Sequence, residues 1–129
     1  MKNKATAYLC LFLAVLCLFS FSSCAVPNAD PDRAISSLEE AGYTVTEKRV
    51  SALIHFGEGL SRAFEASRDR EVIHVLYYES DSAADTAFET VRTLGGSYRP
   101  SGIGEDEWIV KRSGKCIYFG TKQAARDAN

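Results

Sequence analysis

The chain has 129 residues, 46% of them hydrophobic, with 15 basic side chains against 17 acidic ones and a formal net charge of −2. That length holds one domain with a real core and leaves no room for two. The acidic balance argues against the basic face that nucleic-acid binding requires, and it supplies no basic patch for an anionic lipid surface.

Lys2 and Lys4 put positive charge at the N-terminus, and the 17 residues from Ala5 to Phe21 contain no charged side chain. The run falls short of the roughly 20 residues that cross a bilayer as a helix, and no basic stop-transfer cluster follows it. A signal peptide over residues 1–23 is therefore expected. Phe21-Ser22-Ser23-Cys24 resembles the lipobox of bacterial lipoproteins, with Phe21 standing where Leu is usual. The resemblance implies that Cys24 becomes the first residue of the mature chain and carries acyl chains, which tie the protein to the membrane at the bacterial cell envelope, outside the cytoplasm. Residues 24–29 are then lipid attachment and tether, and residues 30–129 a single domain. Ser23 and Ala25 also fit the small-x-small rule, so cleavage after Ala25 is the alternative, and it would release a secreted protein lacking Cys24.

The 106 residues from Cys24 onward hold 13 basic and 17 acidic side chains, a net −4. Cys10 and Cys17 fall in the leader, so only Cys116 lies inside the domain. An unacylated Cys24 could form a disulfide with Cys116 in an oxidising compartment, and acylation forbids that bridge.

Asp30, Pro31 and the apolar series Ala34, Ile35, Leu38 and Ala41 predict a capped amphipathic helix closed by Gly42. Residues 43–48 alternate as a strand, and residues 51–59, with two glycines and no clean period, read as a loop with room for a helical turn. Leu60 to Ser67 and Val72 to Glu79 form a hairpin with Ser67 opposite Val72 and Glu65 opposite His74. Phe64, Ala66, Ile73, Val75 and Tyr77 then share one face, and Ala63, Glu65, Val72, His74, Leu76 and Tyr78 the other.

A second helix starts at Ser80 to Ser82, carries Ala84, Ala87, Phe88, Val91 and Leu94 as its apolar stripe, and ends at Gly95-Gly96. After a Gly-, Ser- and Pro-rich loop comes a last hairpin turning at Ser113-Gly114, which sets Trp108 opposite Phe119 and Ile109 opposite Tyr118. Thr121 caps a short final helix with Ala124, Ala125 and Ala128 inward. The ending "IYFGTKQAARD", from Ile117 to Asp127, resembles that of small secreted bacterial proteins of unknown role and implies no function. The order is α-β-β-β-α-β-β-α, which predicts an α+β fold: a two-layer sandwich of four to five mostly antiparallel strands with helices on one face.

Chemistry-bearing residues are few. His74 and Glu65, with Cys116, are the residues an extracytoplasmic enzyme would use, but no activated nucleophile is evident among them. The sequence suggests neither a metal site nor a cofactor: it has two histidines, and neither Gly57-Glu58-Gly59 nor Gly102-Ile103-Gly104 continues into a phosphate-binding loop. If helices cover the face bearing Phe64, Trp108 and Phe119, the opposite face shows Val72, His74, Leu76, Tyr78, Ile109, Lys111 and Tyr118. That apolar area predicts a binding site for an envelope protein or a small ligand, unless the loop over residues 51–59 or the loop over residues 95–106 folds across it. The expectation is a lipid-anchored, non-enzymatic binding domain.

Overall fold

The computed structural model describes residues 26–129, so the leader and Cys24 lie outside the described residues. These form helix α1 (Pro31–Glu40), strands β1 (Thr44–Lys48), β2 (Leu60–Arg68) and β3 (Glu71–Tyr78), helix α2 (Asp81–Ser97), strands β4 (Trp108–Ser113) and β5 (Cys116–Thr121), and helix α3 (Lys122–Asp127). All strand pairs are antiparallel and the sheet order is β1-β2-β3-β5-β4. The fold is α+β with a five-stranded sheet, and its element order is the expected one.

The caps explain where the helices begin. Asp30 accepts the amide of Asp32 with Pro31 in the first turn, Ser80 accepts that of Ala83, and Thr121 accepts that of Ala124. The β2–β3 register is also the expected one, with Ser67 across from Val72 and Glu65 across from His74.

The last hairpin differs. Ser113 pairs with Cys116, so Gly114-Lys115 forms the turn, Trp108 faces Thr121 and Val110 faces Phe119. Gly114 has φ +57 at the first central position, where a Gly-x turn places its glycine. The slip moves partners by two, so each side chain keeps the face that alternation assigned to it within the hairpin.

What the hairpins leave open is their relation to each other. β3 pairs with β5 so that Val75 faces Tyr118 and His74 faces Phe119. Face A of the sheet therefore gathers Phe64, Ala66, Ile73, Val75, Tyr77, Cys116 and Tyr118, while face B gathers Ala63, Leu76, Tyr78, Trp108, Ile117 and Phe119. The helices divide accordingly rather than lying on one face. Ala34 and Leu38 of α1, with Ala124 and Ala125 of α3, pack on face A; Ala84, Ala87 and Val91 of α2 pack on face B.

Two widths govern the cover on each face. Five strands spaced about 4.8 Å apart span roughly 19 Å between the outer two, and a helix with its side chains is about 10–12 Å across. Two helices cover face A. The single helix on face B lies against β4 and β5, and the β1–β2 connection, as two 3-10 turns over Val50–Ala52 and Ile54–Phe56, extends toward the rest.

Helix α2 runs past the glycines expected to stop it. A Cβ at Gly95 would stand 2.9 Å from Cγ of Phe119, and the Gly95 carbonyl accepts the Trp108 indole N–H at 3.0 Å. Gly95 thus permits a close helix–sheet contact, whereas Gly96 faces open space. Gly95→Ala is expected to cost about 1–3 kcal/mol through overpacking, and Gly96→Ala to add about 0.5–1 kcal/mol through helix propensity. Urea unfolding of the two variants checks this; a gain at Gly95 would contradict the contact.

Candidate functional site

The expected open face does not exist as a single surface. Val72, His74, Leu76 and Tyr78 belong to face B, whereas Tyr118 and Ile109 pack on face A and Lys111 sits across from Tyr118. Leu76, Tyr78 and Tyr118 are each no more than 3% exposed. The reason is the β3–β5 pairing, which neither hairpin's own alternation determines. The loop cover weighed as the alternative is present instead: Phe56 and Ile103 are buried against face B, and the Tyr78 hydroxyl donates to the Phe56 carbonyl at 2.7 Å.

That cover is incomplete, and its gap is the candidate site. A cavity of about 320 Å³ has Ala63, Glu65, His74, Leu76 and Phe119 of the sheet along it, with Ala52, Leu53 and Phe56 from the 3-10 turns, Tyr98 from the end of α2, and Lys48. Its size is at the lower end of small-ligand pockets, and its lining is mostly apolar with a few polar groups, as such pockets usually are.

The polar groups form a row. Lys48 Nζ lies 3.0 Å from Glu65 Oε1, and His74 Nδ1 lies 3.6 Å from Glu65 Oε2, beyond hydrogen-bond length. The Lys48–Glu65 pair is partly exposed on both sides, so it adds little to stability, on the order of 0–1 kcal/mol. The His74 ring stacks on Phe119 at 4.8 Å between centroids and meets Tyr98 edge-on at 5.2 Å. Burial pushes the His74 pKa below its usual 6.5, against the pull of Glu65 and with a smaller downward push from Lys48.

Cys116 is elsewhere. Its side chain is buried on face A, on the other side of the sheet from His74 and Glu65, and burial pushes the thiol up to about 12. A thiol so held is protonated and unreactive at neutral pH. His74 and Glu65 therefore meet as the register expected, without Cys116. Gly57 and Gly59 bring their backbone against Ala87 and Ala83 of α2, which is a packing role. Among the described residues no cluster of three His, Cys, Asp or Glu side chains is placed to hold a metal ion.

Sequence reasoning missed Lys48, Leu53, Phe56, Tyr98 and Phe119 as site residues. Leu53 and Phe56 belong to a segment without periodicity, and Tyr98 follows glycines that read as a helix end. The one available signal was the run of large apolar residues Leu53, Ile54 and Phe56 in a stretch that needs none unless it covers something, and of these Leu53 and Phe56 do the covering while Ile54 stays exposed.

The His74 shift has a definite sign in stability. A folded-state pKa below the unfolded one gives stability that is complete above about pH 6.5 and is lost as pH falls through the lower folded value. The wild type should thus lose urea resistance between pH 7.5 and 5 more steeply than His74→Gln does, both chains keeping Glu65, Lys48 and His55. Parallel curves would show that His74 is not held neutral. Compared with known proteins, the chain matches no family model, no curated protein and no solved structure.

Proposed function

We propose that this chain is a lipid-anchored protein of the bacterial cell envelope whose domain binds a small ligand in the face B cavity without transforming it. The observation that carries the binding half is the cavity itself, an apolar and aromatic recess with a few polar groups, left where one helix and a loop cover a sheet that needs two helices. The separation of Cys116 from His74 and Glu65 speaks against an enzyme built on those three. The anchoring half is supported by the charged start, the uncharged run and the small residues before Cys24.

The anchor is tested by mass and by fractionation. The mature protein from native membranes should have a mass that begins at Cys24 and includes acyl chains, and Cys24→Ser should leave the membrane fraction or stall as precursor. Recovery of the substituted chain in the membrane with the same mature N-terminus would overturn it, and a mass beginning at Val26 would favour the secreted alternative.

The cavity is tested separately. Ala63→Leu places three more carbons beside Leu76 and Lys48 at a cavity-lining position. It should abolish binding of small apolar molecules detected by ligand-observed NMR, with an overpacking cost of about 1–3 kcal/mol that leaves the chain folded by circular dichroism. Undiminished binding by the folded variant would place the ligand elsewhere.

A further inference from the structure

We propose that the face B cavity selects a small, uncharged aromatic molecule that carries one hydrogen-bond donor, of the phenol or indole type, with the donor on Glu65 and the ring against Phe119 and Tyr98. The inference rests on the ligand-binding reading above and deepens it. A dry apolar cavity of about 150 Å³ holds one benzene, so about 320 Å³ has room for one or two fused rings and not for a sugar chain or a peptide.

The walls favour an aromatic ring over an aliphatic chain. Phe56, Tyr98 and Phe119 lie 5.3–6.1 Å apart between centroids and are mutually tilted by 39–51°, with His74 stacked on Phe119. A guest ring extends that cluster by the same offset and tilted contacts, each worth about 0.5–1.5 kcal/mol beyond simple burial.

Charge complementarity excludes ionic guests. Lys48 and Glu65 neutralise each other at 3.0 Å, and burial keeps His74 uncharged at neutral pH, so an anion or a cation would enter the recess without a spare counter-charge. A donor, by contrast, finds a partner. Glu65 spends Oε1 on Lys48, while Oε2 has His74 Nδ1 only at 3.6 Å, which leaves a charged acceptor for an O–H or N–H.

The test uses the mature protein in nanodiscs, with empty discs as the partition control, and ¹⁹F line broadening of 4-fluorophenol, 4-fluorotoluene and 4-fluorobenzoate. 4-Fluorophenol should bind about tenfold or more tightly than either of the others, as a hydrogen bond to a charged acceptor provides, and unlabelled indole should displace it. Glu65→Gln, which keeps the side chain's size, should cut the ratio of 4-fluorophenol to 4-fluorotoluene affinity several-fold, and that ratio separates a lost charged acceptor from a collapsed cavity, which would weaken both probes alike. Equal binding of phenol and toluene probes would overturn the donor inference and keep the cavity reading. Preference for the benzoate would overturn it in favour of Lys48 as an anion anchor. Binding of none would end both.

Discussion

β3 and β5 lie side by side in the middle of the sheet, and from Ile73 to Tyr78 and from Cys116 to Gly120 neither carries a charged side chain apart from the titratable His74. On face A this puts Ile73, Val75 and Tyr118 against the core, and on face B Leu76, Ile117 and Phe119. Each of these is worth about 1.5–3 kcal/mol when withdrawn from water, so wetting the three on either face would cost about 4.5–9 kcal/mol, comparable with the roughly 5–15 kcal/mol margin of a whole domain. Both faces must be covered, and a chain of this length has only three helices among its described residues with which to do so. The uneven division, two on face A and one on face B, is what makes the cavity.

The covering segments are fastened by the polar ends of buried aromatic side chains. Tyr78 donates to the Phe56 carbonyl and holds the 3-10 turns; Trp108 donates to the Gly95 carbonyl and holds the end of α2. Tyr77 donates to the Asn28 carbonyl, and Tyr43 donates to Asp127 at 2.7 Å, tying the entering chain and α3 to face A. A ring brings apolar area and a hydroxyl or N–H together, so Tyr77 and Tyr78 each fill the core and also satisfy a backbone carbonyl of a connecting segment, those of Asn28 and Phe56. Burial pushes the Tyr78 phenol up to about 12, which keeps its proton, and hence the bond to Phe56, in place through the neutral range.

The local elements were legible because their signals are local. Caps at Asp30, Ser80 and Thr121 and the parity of each hairpin depend on residues a few positions apart. The parity between the hairpins was not legible, since β5 is buried along its whole length and offers no polar alternation to say which side meets β3's Phe64-facing side. The composition carried a meaning that alternation obscures: a strand such as Val72–Tyr78, apolar on both sides apart from His74, belongs to a sheet covered twice. His74 and Glu65 were legible as a pair, but the recess around them was not, because its remaining walls come from segments without a period.

The entering chain bears on how an anchored domain would sit. Asn28 N–H donates to the Ala128 carbonyl and the Asn129 side chain to the Val26 carbonyl, so the stretch expected as a free tether is bound to face A from Val26 onward. With acylation at Cys24, only Cys24 and Ala25 separate the lipid from the docked chain, a reach of about 7 Å at roughly 3.3–3.6 Å per residue. The domain would then be held against the headgroups rather than swinging on a linker. Pro27 and Ala29 lie beside Ser113, Gly114 and Lys115, which brings the β4–β5 turn to that boundary as well. The cavity opens on face B, across the sheet from the docked segment, so the contacts that fix the anchor do not occupy the site proposed for the ligand.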